Sequence, residues 1–168
     1  MPARDVLRYP NPALKRTARE LSGEDAELIG RVAADLVDTM RAHPGCVGLA
    51  APQLDQLVRM VVVDCTEHKR AVDPNGLLVL VNPVVAESSG AEVAREGCLS
   101  IPDLTANVRR ATEVVIEATD PAGESLRVSS VGFEARCLLH EIDHLDGILF
   151  LDRVDSLKTD VFRRKTYS

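Results

Sequence analysis

Apolar side chains recur at Leu28, Ile29, Val32, Ala33, Leu36, Val37 and Met40, a single stripe with the period of an α-helix. Ser22-Gly23-Glu24-Asp25 ahead of the stripe offers groups to cap a helix start, and Pro44-Gly45 stops it. The stripe therefore predicts an N-terminal amphipathic helix whose apolar face belongs to the core. Short β-forming runs follow at 58–65, 77–81, 84–87, 92–95, 105–109, 113–119 and 125–128. Asp120-Pro121-Ala122-Gly123, between the last two, reads as the turn of a hairpin. Over residues 133–145 the pattern becomes helical again, with Phe133, Cys137, Leu138, Leu139, Ile142 and Leu145 spread over more than one face, so this helix is buried on most sides. One amphipathic helix, many short strands and a buried helix predict an α+β fold rather than alternating βαβ units: short antiparallel strands packed around a central buried helix.

Within that buried helix lies His140-Glu141-Ile142-Asp143-His144. Residues four apart share a helix face, so the two imidazoles stack with the Glu141 carboxylate beside them. Two surface histidines on an amphipathic helix are the plainer alternative. Burial weighs against it, because two imidazoles and a carboxylate inside a protein need partners and a metal ion supplies them. With Glu141 placed to take a proton from water, the pattern reads as a hydrolytic metal centre.

A catalytic metal of this kind takes a third protein ligand and keeps one position open. Gly147 fits one metalloprotease continuation, but Phe150 stands where its third His belongs, and no Glu follows Glu141 to serve the other. His43 sits beside Pro44-Gly45, and His68 lies in a charged stretch with the look of a loop. Among the thiols, Cys137 is seven positions from His144, about 10 Å along a helix axis, too far for one ion to span. Cys65 closes a strongly β-forming run and reads as a packed core thiol. Cys98, after Gly97, leads as third ligand, with Cys46 behind it.

Three segments in this order resemble peptide deformylases: Val47-Gly48-Leu49-Ala50-Ala51-Pro52-Gln53, then Glu96-Gly97-Cys98-Leu99-Ser100, then His140 to His144. The opening Leu7-Arg8-Tyr9-Pro10-Asn11-Pro12-Ala13-Leu14 is similar to the family's start, so the likeness runs from near the N-terminus to about Val154. The resemblance implies Cys98, His140 and His144 as ligands of one divalent metal ion, and Glu141 as general acid and base. It implies that Gln53 and the backbone N–H of Leu99 donate to the formyl oxygen as it gains charge. Val47, Gly48, Glu96, Gly97, Phe133, Arg136 and Cys137 would line the substrate site, with Leu49 helping to shape the wall near the scissile group. The substrate would be an N-formyl-methionyl peptide. Iron(II) is the favoured ion, with zinc, nickel or cobalt as replacements.

The chain departs from the family pattern in three places: Cys46 stands where a Gly is usual, Leu139 where many members have Gln, and Arg136 where many are apolar. These departures keep two alternatives open, an enzyme acting on another N-acyl amine and a non-catalytic binding relative.

With 168 residues the chain suits a single catalytic domain over 1–168, and with aromatics at 3% its core must be aliphatic. A net charge of −6 argues against a general nucleic-acid binder. No apolar run has the length of a membrane span, and the N-terminus lacks the apolar stretch of a secretory signal. Four cysteines do not make a disulfide framework, which points to a reducing, bacterial-type cytoplasm, or to an organellar protein whose leader has been removed. Lys158, Arg163, Arg164 and Lys165 make the tail basic from about residue 156. That tail is expected to be a frayed, solvated end, with a ribosome contact as a second reading.

Overall fold

The computed structural model describes residues 3–164. Helix α1 (Ala26–Ala42) begins where the Ser22 side chain and Asp25 cap each other across a preceding 3-10 turn. It ends at His43, whose Nδ1 meets the Thr39 carbonyl at 2.8 Å. Strands β1 (Gly48–Ala50), β2 (Met60–Asp64), β3 (Leu77–Ser89), β6 (Glu113–Thr119) and β7 (Ser125–Val131) form an antiparallel sheet in the order β1-β2-β3-β6-β7. Strands β4 (Glu92–Cys98), β5 (Ile101–Arg110) and β8 (Val161–Arg163) form a second antiparallel sheet, ordered β4-β5-β8. Helix α2 (Gly132–Leu145) packs on the larger sheet. This is the α+β arrangement expected, with α1 as its N-terminal helix.

Side-chain alternation along β2 explains how one sheet serves both helices. Met60 and Val62 face the cluster built on Val32, Leu36 and Met40 of α1. Val61 and Val63 face the cluster holding Ala135, Leu138, Ile142 and Leu145 of α2. Covered on both faces, β2 reads as a continuous apolar run. A third cluster, with Leu14, Ile101, Ala106, Val108, Leu149 and Phe150, lies under the smaller sheet and includes Cys98.

Three features differ from the sequence expectation. The runs at 77–81 and 84–87 are one strand, β3, whose register slips between Val81 and Val84. Asn82 takes a left-handed φ of 51° there, and its side chain replaces the lost ladder bonds: Oδ1 accepts from Leu21 N at 2.9 Å and Nδ2 donates to Leu21 O at 2.7 Å. Pro83 made this bulge look like a break. Strand β1 is too short to signal itself. The tail is not frayed as far as residue 164, because β8 pairs with β5 over Leu104–Ala106 and Arg164 N donates to Asp103 O at 2.8 Å. Lys165 lies outside the described residues.

The expected hairpin turn is present between β6 and β7, closed by Gly123 N donating to Asp120 O at 2.9 Å. Gly147, at φ 72°, ends α2 in the left-handed conformation, with Ile148 N returning to Asp143 O at 2.9 Å. A Cβ there would lie 2.5 Å from Lys15 O.

Asn82 gives a stability prediction. Replacing it by Ala loses both side-chain bonds and puts a Cβ on a left-handed backbone, so it costs about 2–4 kcal/mol, while Gly, which tolerates that φ, costs less. Urea unfolding of the two variants should show wild type above Gly and Gly above Ala; equal midpoints would contradict this account of the bulge.

Candidate metal centre

Three segments distant in sequence converge on α2. The helix presents His140 and His144 one turn apart, their ring centroids 5.1 Å from each other. Across from them, β4 and β5 meet in a tight hairpin where Cys98 pairs with Ile101. Alternation on β4 sends Glu96 and Cys98 inward and leaves Arg95 and Gly97 outside. Ligand atoms, one each from Cys98, His140 and His144, lie within 4.8 Å of one another, and the Cys98 Sγ to His144 Nε2 distance is 3.5 Å. Cys46, the second candidate for the sulfur ligand, lies outside this group, though it borders the same pocket.

A short 3-10 turn at Ala51–Leu54, following β1, brings in Gln53. Its Oε1 accepts from Ala50 N at 2.9 Å, which aims Nε2 at Ser100 Oγ, 3.0 Å away, and Cys98 Sγ, 3.4 Å away. Gln53 therefore tethers the β4–β5 hairpin to β1. Glu141 lies against Gly48, where any Cβ would come within 2.7 Å of its Oε2. That carboxylate can fit beside β1 only because residue 48 has no side chain.

A buried ion network fixes the orientation of the first histidine. Glu96 accepts from Arg110 through both oxygens, at 2.8 and 3.0 Å, from Arg136 Nη1 at 2.7 Å, and lies 2.9 Å from His140 Nδ1. Arg110 also donates to Asp143 on α2 at 2.6 Å, and Arg153 binds both Asp143 oxygens. With Nδ1 engaged, only Nε2 of His140 is left for the cluster, the carboxylate–histidine arrangement that orients metal ligands elsewhere. Arg136 is on the pocket wall, but its guanidinium is pinned: besides Glu96 it donates to Val108 O and Glu92 O, both at 2.7 Å.

The electrostatics favour a cation. Burial opposes charge on Glu96, yet the His140 and Arg110 hydrogen bonds outweigh it and hold the carboxyl well below its usual range. Burial also opposes protonation of His140, but Glu141, Cys98 and Glu96 raise its proton affinity well above normal. His144 is driven well below normal by burial and then by the positive charge of His140 and Arg110. Burial pushes Glu141 up to about 7, with His140 opposing. The Cys46 thiol is pushed up to about 12 by burial and then by Glu141, so it stays protonated and donates to Gly48 O at 3.2 Å.

Two buried polar atoms at the cluster, Glu141 Oε1 and His144 Nδ1, have no hydrogen-bond partner. Buried orphans are rare, and here they sit on the proposed base and on a ligand ring. A sulfur and two imidazoles beside an unpartnered carboxylate suit zinc or ferrous iron. The centre opens into a cavity of about 310 Å³. Val47, Gly48, Glu96, Gly97, Leu99, Phe133 and Cys137 all reach this cavity.

Other lining residues were not foreseen. His68 stacks on Phe133 at 3.9 Å between centroids, and Arg95 and Arg164 flank the mouth. Ser100, Arg110 and Asp143 also went unremarked. Asp143 lies inside the histidine motif, on a helix buried on most sides, a signal that was available; Arg110 carried none.

A fold of two antiparallel sheets around a buried helix, with a Cys-His-His cluster and an adjacent Glu at the foot of a pocket, defines a metal-dependent hydrolase. Comparison with known proteins makes this specific. The family model described as polypeptide deformylase matches residues 3–160. The peptide deformylase of Thermodesulfovibrio yellowstonii is 37% identical over 161 residues, 96% of this chain and 94% of that one. That of Thermomicrobium roseum is 41% identical over 160 residues, 95% of this chain and 90% of that one. The crystal structure of a peptide deformylase from Legionella pneumophila, 36% identical, superposes with a TM-score of 0.83 and covers 93% of this chain and 88% of that one. The chain belongs to the polypeptide deformylase family, hydrolases that take the N-formyl group off new polypeptides.

Glu96→Gln keeps the shape of the network but weakens its hold on His140 and both arginines. We expect metal affinity to fall ~10- to 100-fold, read by competition with a chelator. Unchanged affinity in the folded variant would contradict the orienting role.

Proposed function

We propose that Cys98, His140 and His144 hold one divalent metal ion, iron(II) in the cell, and that residues around them hydrolyse the formyl amide of an N-formyl-methionyl peptide. The observation that carries this reading is the buried, unpartnered Glu141 Oε1 beside the three-donor cluster. A purely structural site has no use for a base placed there.

When bound, the ion supplies Lewis acidity, making a water more acidic and drawing charge from a carbonyl oxygen. The other tasks fall to the chain. Glu141, whose carboxyl a nearby cation returns toward its ionised form, takes a proton from the attacking water and later delivers it to the leaving amine. Gln53 Nε2 and the Leu99 backbone N–H donate to the oxygen as it becomes an oxyanion. The first side chain of the substrate occupies the wall made by Val47, Phe133, Cys137 and the stem of Arg136, beside Gly48 and Gly97. The network around Glu96 holds His140 still throughout.

A reducing compartment such as the cytoplasm fits the four free cysteines. No described helix is long and apolar enough to cross a membrane. The extent of the family match supports treating the chain as one catalytic domain. A ribosome contact through the tail is retained for Lys158 and Arg163, both exposed. Because β8 is part of the smaller sheet, reversing those two charges tests the contact better than deleting the segment; unchanged co-sedimentation with ribosomes would count against it.

Activity on a formyl-Met peptide should be present in protein loaded with iron without oxygen, and should decay in air as iron or Cys98 oxidises. Glu141→Gln should lower kcat by ~10²- to 10⁴-fold at unchanged metal content. Gln53→Ala should lower it by ~10²- to 10³-fold with little change in metal content. Full activity of Glu141→Gln would defeat the mechanism.

A further inference from the structure

Arg95 lies on the outer face of β4 with Gly97, three residues before Cys98 and so about 10 Å along the strand. Its guanidinium lies over the Phe162 ring of β8, 3.8 Å from the centroid, and its Nε donates to Asn107 Oδ1 at 3.2 Å. Arg164, just past β8, folds back onto the same face: a Cβ on residue 97 would meet its Nη2 at 2.1 Å, so the bare backbone of Gly97 gives this guanidinium its seat. Both side chains are exposed, both line the mouth of the pocket, and among the described residues neither has a carboxylate partner. The buried Arg110 and Arg136 are consumed by Glu96 and Asp143, and the more exposed Arg153 is paired with Asp143. On a chain of net charge −6, the mouth thus presents two uncompensated cations held in place by packing.

We propose that Arg95 and Arg164 form a recognition site for an acidic side chain at the second or third residue of the formyl peptide. This rests on the deformylase reading above. An extended peptide whose formyl group is at Cys98, His140 and His144 advances ~3.3 Å per residue, so its second and third side chains emerge roughly 7–10 Å away, the reach at which Arg95 stands. Two planar guanidinium groups side by side at the pocket mouth suit a carboxylate, and they repel Lys or Arg at the same position. Arg95 and Arg164 are thereby specificity determinants and take no part in the chemistry.

The test uses the full-length, metal-loaded protein and three peptides, formyl-Met-Ala-Glu, formyl-Met-Ala-Ser and formyl-Met-Ala-Lys, with a matching set varied at the second residue. Wild type should favour Glu over Lys by ~5- to 10-fold in kcat/KM at one of the two positions, mostly through KM. The preference should shrink as salt rises toward about 0.5 M. Replacing both arginines with Met should bring the Glu-to-Lys ratio within twofold, and replacing both with Glu should reverse it. Equal use of the three peptides by wild type, or a preference that survives in the double variant, overturns the proposal while leaving the deformylase reading intact. Absence of turnover with every peptide, Ser included, removes both.

Discussion

The Glu96 carboxylate is the point on which the site depends. It enters from β4, whereas the groups it binds belong to β5 through Arg110 and to α2 through Arg136 and His140. One buried anion therefore joins the smaller sheet to the helix that carries both histidines. Burying such a group is costly, and the cost is offset only while every partner is present; removing one member of a buried ion pair commonly costs about 3–5 kcal/mol. Here the partners also orient each other. Glu96 fixes the His140 ring, Arg110 carries the constraint to Asp143, and Asp143 passes it to Arg153 on the segment after α2.

A second link closes the centre from the opposite side. Gln53 is held by the backbone of Ala50 at the end of β1 and reaches the β4–β5 hairpin through Ser100 and Cys98. The sulfur is thus positioned from both sheets, and the histidines from the helix between them. Close approach at Gly48 gives Glu141 its place. The aliphatic clusters on either side of β2 make the scaffold stiff, which is what a three-ligand site drawn from distant segments requires.

Much of this was legible in the sequence, for physical reasons that differ by element. The α1 stripe and the apolar surround of His140 and His144 announced themselves through period and burial. Cys98 was reached by exclusion and then by likeness to a family. Arg110 and Arg153 were not legible, because a lone arginine in a strand or turn looks the same whether it meets water or a buried carboxylate. Asn82 was hidden for a related reason: its side chain stands in for backbone, and Pro83 beside it imitates a strand end. The tail was misread because a three-residue strand such as β8 has too few positions to show alternation. Its pairing with β5 is what puts Arg164 at the mouth of the pocket and the Phe162 ring under Arg95.

The central claim is that one ion is shared by one sulfur and two imidazole nitrogens. X-ray absorption at the edge of the bound metal, on protein loaded without oxygen, tests this most directly. The account predicts one sulfur at about 2.3 Å and two nitrogens at about 2.0–2.1 Å for zinc, with the sulfur contribution lost in Cys98→Ala but retained in Cys46→Ala. A shell without sulfur, or one in which Cys46 rather than Cys98 supplies it, would contradict the account.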